Sequence, residues 1–203
     1  MTALRSRLAT VALAALLMLA APLRATVLVQ LTLEELVATS ELIFSGVVTN
    51  STTSSIGDLV YTTVRFDIDD VIAGEAESET IELRFLGGVS GEHRTEVSSQ
   101  YIPAVGDRGL YFVDDATRDL VNPLTGWSQG HFPLIDVNGA TWLDLKNHPD
   151  YGLLEPDADP LAGKMRSLNV SREEIAARFP ERFRFPLADF VAAIADIRAQ
   201  QGQ

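Results

Sequence analysis

The chain has 203 residues, with 28 acidic and 16 basic side chains, three histidines and no cysteine. Without cysteine, the protein has no disulfide scaffold, no cysteine nucleophile and no thiolate metal site. The formal charge of −12 argues against nucleic-acid or anionic-membrane binding, because both partners select basic patches. With 46% hydrophobic and 22% charged residues, the composition is that of a globular protein.

The N-terminus has the pattern of a secretory signal peptide over residues 1–25. Arg5 and Arg7 precede an uncharged run over residues 8–23, and Ala25 offers a small residue for cleavage. The run is shorter than the roughly 18 residues that read as a membrane-spanning helix. We therefore expect cleavage, a periplasmic or secreted mature protein, and no stable membrane insertion afterwards.

A short helix and a strand are predicted at the start of the mature chain. Thr32 and Glu35 have capping-box spacing, which predicts a helix over residues 32–40. Apolar residues at both parities over 42–49 indicate a strand buried on both faces, with Gly46 marking a bulge or bend. The Ser/Thr-rich stretch 50–58 is predicted to be a loop.

Residues 62–69 and 80–86 alternate between apolar and polar residues, as half-buried strands do. Further along the chain, Asn138-Gly139 between two predicted strands is a strong hairpin signal. Six short strands without intervening helices predict a mainly β domain over 26–145, a small OB-like β-barrel that is closed or nearly closed. The five strands after the first are predicted over 62–69, 80–86, 109–113, 130–137 and 141–145.

Residues 146–203 are predicted to be a loop followed by helices packed on the barrel. Ser171 begins a second capping box, and its helix must end at Pro180. A last helix follows Pro186, which suits a first helical position. Its apolar stripe consists of Leu187, Phe190, Val191, Ile194 and Ile197.

One motif resembles that of a serine nucleophile. Ser128 lies in Gly126–Gly130, which matches Gly-x-Ser-x-Gly, and Asp144 and His148 follow in triad order. The motif needs a strand before it and a helix after it, but here a turn precedes it and Pro133 follows. We therefore expect no catalytic residue and keep a serine hydrolase as an alternative.

Metal-binding patterns are equally weak. The three histidines are far apart, and Asp136-Val137-Asn138-Gly139 has glycine at its fourth position, whereas an EF-hand loop needs glycine at the sixth. Asp157 and Asp159 leave a calcium site open as a loose possibility. We expect no bound metal and no cofactor.

The most unusual segment runs from Asn122 to Phe132. If it is a strand, Trp127, Gln129 and His131 share one face, and an indole beside polar side chains suits a ligand-binding patch. In the alternative, Trp127 plugs one end of the barrel, since large aromatic side chains are usually buried. The ligand in the first case is an extracellular or periplasmic protein or a glycan.

Several segments together carry a family resemblance, over roughly residues 30–137. They resemble an uncharacterised group of exported bacterial proteins and, more distantly, the netrin-like modules of tissue inhibitors of metalloproteinases, which are OB-type β-barrels. Those inhibitors chelate the protease's zinc through an N-terminal cysteine, which this chain lacks, so no inhibitory residue can be carried over. The segments are Leu33–Val37, Glu41–Val48, Thr62–Gly74 and Val105–Val113.

From the sequence we expect an exported binding or interaction module at the bacterial cell envelope. The resemblance implies an alternative, a protease-interacting or inhibitory domain. The Gly126–Gly130 motif supplies the other alternative, a serine hydrolase.

Overall fold

The computed structural model describes residues 31–98, 100–118, 120–145 and 184–202. This part of the chain is mainly β, with a small N-terminal helix and a C-terminal helix, which confirms the predicted class. The helices are α1 (Leu33–Thr39) and α2 (Leu187–Gln201), and Trp127–Gly130 form a 3-10 turn. The strands are β1 (Leu42–Ile56), β2 (Leu59–Ala73), β3 (Thr80–Leu86), β4 (Gly88–Ser90), β5 (His93–Thr95), β6 (Arg108–Val113), β7 (His131–Val137), β8 (Ala140–Asp144) and β9 (Arg184–Pro186).

Helix α1 begins with the capping box that the sequence predicts. The Glu35 backbone N–H donates to Thr32 Oγ1, and the Thr32 backbone N–H donates to Glu35 Oε2 at 2.8 Å. These two bonds satisfy backbone donors that a helix start otherwise leaves without partners. Leu36 and Val37 on the inner face are fully buried, so the helix packs against the sheet.

Seven strands form one antiparallel sheet in the order β3-β2-β1-β6-β7-β8-β9, and β4 pairs with β5 in a separate two-stranded ribbon. Within the described residues β3 and β9 are the two edges of the larger sheet and do not pair with each other. The sheet is therefore open. The described part holds nine strands rather than the expected six, because β4, β5 and β9 have only three residues each.

The prediction of a loop over residues 50–58 is wrong, because β1 continues to Ile56 and a short turn leads directly into β2 at Leu59. Register pairs such as Ser54 with Tyr61 extend the ladder to the hairpin tip. The arm of β1 over residues 49–56 is exposed throughout, so no alternation of apolar and polar residues marks this arm in the sequence. Cross-strand pairing stabilises this arm, and Thr53 Oγ1 also donates to the Val89 carbonyl of β4 at 2.9 Å.

The core lies on both faces of the sheet. Along β6, Leu110 and Phe112 belong to one buried cluster with both helices, whereas Tyr111 and Val113 belong to a second cluster with Phe44. This alternation follows from the two-residue period of a strand. Strands β1 and β6 are therefore covered on both sides, as the sequence predicts for residues 42–49.

Helix α2 closes the first cluster and lies beside α1. Phe190 is fully buried, with its ring centroid 5.2 Å from that of Phe132. Arg198 Nη2 donates to the Ser40 carbonyl at 2.6 Å, which ties the last turn of α2 to the end of α1. The helix predicted from Ser171 to Pro180 lies outside the described residues.

Candidate functional site

Residues 122–130 form turns rather than a strand. Trp127 and Gln129 lie in the 3-10 turn Trp127–Gly130, and His131 is the first residue of β7. The alternation that would place the three side chains on one face therefore does not apply. Trp127 is half-buried, whereas Gln129 and His131 are only 4% and 7% exposed.

Trp127 and Gln129 line the same pocket. Its cavity volume is about 430 Å³, within the range of ordinary small-molecule sites. Asp114 and Asn122 contribute polar groups to the lining. The apolar lining residues are Leu31, Leu120, Val121 and Leu124.

Asn122 lines this pocket and carries a buried hydrogen-bond donor. Its Oδ1 accepts the Leu124 backbone N–H at 2.9 Å, and the residue is 4% exposed. Its Nδ2 has no hydrogen-bond partner among the described residues. An unsatisfied buried donor costs about 1–3 kcal/mol, so an acceptor brought by a ligand would be favoured here. The turn itself was recognisable in the sequence, because asparagine commonly bonds the backbone two residues on.

The backbone beside the pocket is held in an unfavourable conformation. Gly126 and Trp127 both have left-handed φ values, 60° and 63°. This region is open to glycine but costs a bulky L-residue roughly 1 kcal/mol or more. The Leu31 N–H donates to Gln129 Oε1 at 2.8 Å, and a side chain at Gly126 would meet Leu31. The surrounding contacts thus impose a strained turn of the kind that clusters at functional sites.

His131 has a different environment from the other two predicted residues. Its imidazole stacks between Tyr101 and Tyr111, with centroid distances of 4.7 and 4.9 Å and interplanar angles of 6° and 14°. The Tyr101 hydroxyl donates to the Asp107 carboxylate, and burial raises the pKa of both tyrosines. His131 does not line the pocket, so the structure brings Trp127 and Gln129 together without it.

The Gly-x-Ser-x-Gly motif does not form a nucleophile elbow. Ser128 lies in the 3-10 turn, which leads into strand β7 rather than into a helix. Asp144 lies in β8, opposite Arg184 of β9, and His148 lies outside the described residues. The strand-to-helix geometry that exposes a catalytic serine is therefore missing from this turn.

No metal site is found in the described ranges, where no group of three or more His, Asp or Glu side chains could hold an ion. Asp136 instead accepts hydrogen bonds from Thr141 Oγ1 at 2.7 Å and Arg108 Nη1 at 2.8 Å. The Thr141 hydrogen bond is the largest cause of the lowered pKa of Asp136, and the charge and hydrogen bond of Arg108 add to it. Asp157 and Asp159 lie outside the described residues.

No protein-family model matches the chain, and neither a curated protein nor a solved structure is significantly similar to it. None of the helices in the described ranges is long and apolar enough to cross a membrane.

Proposed function

We propose that the chain is an exported binding module of the bacterial cell envelope and that its ligand enters the pocket beside Trp127. The observation that carries this proposal is the buried amide donor of Asn122, which lacks a partner among the described residues in a pocket built on strained backbone. Buried polar groups are almost always hydrogen-bonded. An oxygen atom of a ligand would accept a hydrogen bond from Asn122 Nδ2.

A glycan is the ligand that this lining favours. The indole of Trp127 offers an apolar face with a polar edge, and Asn122 and Asp114 offer an amide and a carboxylate for hydroxyls. Sugar rings combine an apolar face with hydroxyl groups in the same way.

Tryptophan fluorescence gives a direct test, because the chain has only two tryptophans. In a Trp142→Phe chain, Trp127 is the only indole and reports on its own pocket. We expect saturable changes on titration with at least one of glucose, galactose, N-acetylglucosamine, cellobiose, lactose and chitobiose. Binding should be lost in Trp127→Ala, measured by calorimetry, while the far-ultraviolet circular dichroism spectrum is retained.

The donor role of Asn122 has a test of its own. Asn122→Asp keeps the Oδ1 acceptor for the Leu124 N–H but removes the Nδ2 donor, so we expect binding to weaken about tenfold or more. Val105→Ala, at an exposed residue away from the pocket lining, is the matched control and should bind normally. If none of the six sugars binds, the glycan proposal is rejected. Unchanged binding by Asn122→Asp would reject the donor role.

We also propose that residues 1–25 direct export of the chain and are removed by cleavage after Ala25. The basic residues followed by an uncharged run support it. The test is the intact mass of the protein recovered from bacteria that express the full chain, fractionated into periplasm, medium and membrane. A periplasmic or secreted species beginning at Thr26 is expected, and an uncleaved chain in the membrane fraction would reject the proposal.

We further propose that the sheet is a variant of the OB-type barrels of netrin-like modules. The succession of α1, a glycine-marked strand and a long alternating strand supports this relation. So does the Leu86 N–H, which donates to the Val121 carbonyl at 2.9 Å and links edge strand β3 to the segment after β6. An experimental structure of the full chain tests it. A β3 edge without further pairing along its length would reject a barrel.

A further inference from the structure

A second cleft lies beneath the β4–β5 ribbon. Its cavity volume is about 430 Å³, and one wall is formed by residues 86–89 while the other is formed by residues 94–98. Gln100 and Ile102 complete the lining, and no residue is shared with the Trp127 pocket. The ribbon is fixed over the main sheet, because the Val60 N–H donates to Thr95 Oγ1 at 2.9 Å and Thr53 Oγ1 donates to the Val89 carbonyl at 2.9 Å.

Two consecutive glycines give this cleft a wall of bare backbone. Gly87 and Gly88 have φ values of 136° and 125°, which L-residues with side chains rarely adopt. Thr62 Oγ1 donates to the Gly87 carbonyl at 2.6 Å, and the Gly87 N–H donates to the Val60 carbonyl at 2.8 Å. A Cβ at Gly88 would lie 2.6 Å from Thr62 Oγ1. The backbone is therefore held in place, and glycine keeps this wall free of side chains.

Gln100 is the lining residue whose side-chain amide lacks hydrogen-bond partners in the described ranges. Both Nε2 and Oε1 are buried, and neither has a hydrogen-bond partner within the described part of the chain. The residue as a whole is half-buried and borders the cleft. A carboxamide offers a donor and an acceptor side by side, so its best partner presents an acceptor and a donor in the same way.

An extended peptide presents a hydrogen-bond acceptor and a donor side by side. In a β-strand the N–H and C=O of one residue point to the same side of the chain. An acetamido group of a sugar carries its N–H and C=O on opposite sides of a trans amide, so it can satisfy only one Gln100 atom at a time. We propose that this cleft is a second binding site, which takes an extended peptide segment through Gln100 and the backbone wall of Gly87 and Gly88.

The side chains of the cleft indicate uncharged peptide residues. Leu86, Val97 and Ile102 supply apolar surface. The charges at the rim belong to Arg94 and Glu96, which form an ion pair with each other. A peptide of small apolar residues matches this lining, because it leaves no charge to be desolvated without a partner.

The test follows backbone and side-chain amide signals of the full-chain protein by ¹H–¹⁵N NMR. The probe is N-acetyl-trialanine amide, and the comparison peptide is N-acetyl-triproline amide, which lacks N–H groups at its three residues. We expect trialanine to shift the Gly87, Gly88 and Gln100 signals saturably, with triproline at least tenfold weaker. N-acetylglucosamine should leave these signals unchanged.

Gln100→Leu is the decisive variant, because it removes the donor and the acceptor while keeping a side chain of similar size. The protein should remain folded, since the change removes two unsatisfied buried atoms, and its affinity for trialanine should fall at least tenfold. Val105→Ala is the control and should bind as the native chain does. The proposal is overturned by the absence of saturable shifts, by equal binding of triproline, by N-acetylglucosamine shifting the same signals, or by unchanged affinity in folded Gln100→Leu.

Discussion

Gly109→Ala should destabilise the protein by disturbing the ring stack around His131. A Cβ at this position would lie 2.7 Å from His131 Nε2, 2.8 Å from His131 Cδ2 and 2.9 Å from Tyr111 Cζ. All three separations are shorter than real Cβ contacts. Gly109 does not have a positive φ, so the effect is steric and does not arise from backbone conformation.

The surroundings of Gly109 leave little room for relaxation. It lies in β6 between Gly46 of β1 and Pro133 of β7, so the backbone is paired on both sides. His131 is itself confined between Tyr101 and Tyr111. Overpacking of a filled core costs about 1–3 kcal/mol, and we expect the upper part of that range. The melting temperature should fall by roughly 4–10 °C for a domain of this size.

A double-mutant cycle measures the origin of this loss. Urea unfolding of the native chain, Gly109→Ala, His131→Ala and the double variant gives the free energy of unfolding of each. In the His131→Ala background, the added methyl group has space where the imidazole lay, so its cost should fall below about 1 kcal/mol. An equal cost in both backgrounds would refute the clash with His131 as the cause.

Two further predictions concern stability. Phe190→Ala should lower the free energy of unfolding by about 3–5 kcal/mol in urea unfolding, because the ring is fully buried. Asp196→Ala on the exposed face of α2 is the control and should change this free energy by less than about 0.5 kcal/mol. Similar effects of the two substitutions would contradict the packing of α2. In the folded chain the pKa of Asp136 lies below its ordinary value of 3.8. The ionised Asp136 carboxylate therefore stabilises the protein above pH 3.8, and this contribution is lost as the pH falls through the lowered pKa. Asp136→Asn should therefore be less stable than the native chain in urea at pH 7, with the difference shrinking as the pH falls below 3.8. A difference that stays constant with pH would contradict this role of the Asp136 carboxylate.

Elements with strong local signals were predictable from the sequence. The capping residues Thr32 and Glu35 lie where the pattern places them, and β3 has the predicted bounds of residues 80–86. At the β7–β8 turn, Asn138 and Gly139 both have positive φ values, 53° and 81°, as a two-residue hairpin turn requires. Each signal is contained in a few neighbouring residues, so no tertiary contact was needed to interpret it.

The pocket depends on contacts between residues far apart in the chain, which local sequence patterns do not reveal. Leu31 and Gln129 are joined by a hydrogen bond across 98 positions. The sequence hypothesis places Trp127 and Gln129 on one face of a strand, whereas the structure brings them to one pocket through a 3-10 turn. The segment is not a strand because the packed surroundings impose left-handed conformations on Gly126 and Trp127. Local propensity does not predict them for tryptophan.

Gly46 shows how a local prediction can be right while its energetic reason lies elsewhere. The sequence marks it as a bulge or bend, and the β1–β2 register shifts between Ser45 and Gly46. A Cβ there would collide with the backbone carbonyl of Asp67, whereas a Cβ at its partner Gly109 would meet side chains. Side chains can change rotamer, but a paired strand can yield only by losing hydrogen bonds.

Gly46→Ala should therefore be more destabilising than Gly109→Ala, even though both substitutions add one methyl group to the same pair of facing residues. Urea unfolding of the two variants under identical conditions makes the comparison. The loss in Gly46→Ala should also be insensitive to His131→Ala, because the obstructing atom belongs to β2. If Gly46→Ala were the milder change, β2 would have to move away from the bulge at little cost, and the rigidity assigned here to the β1–β2 ladder would be wrong.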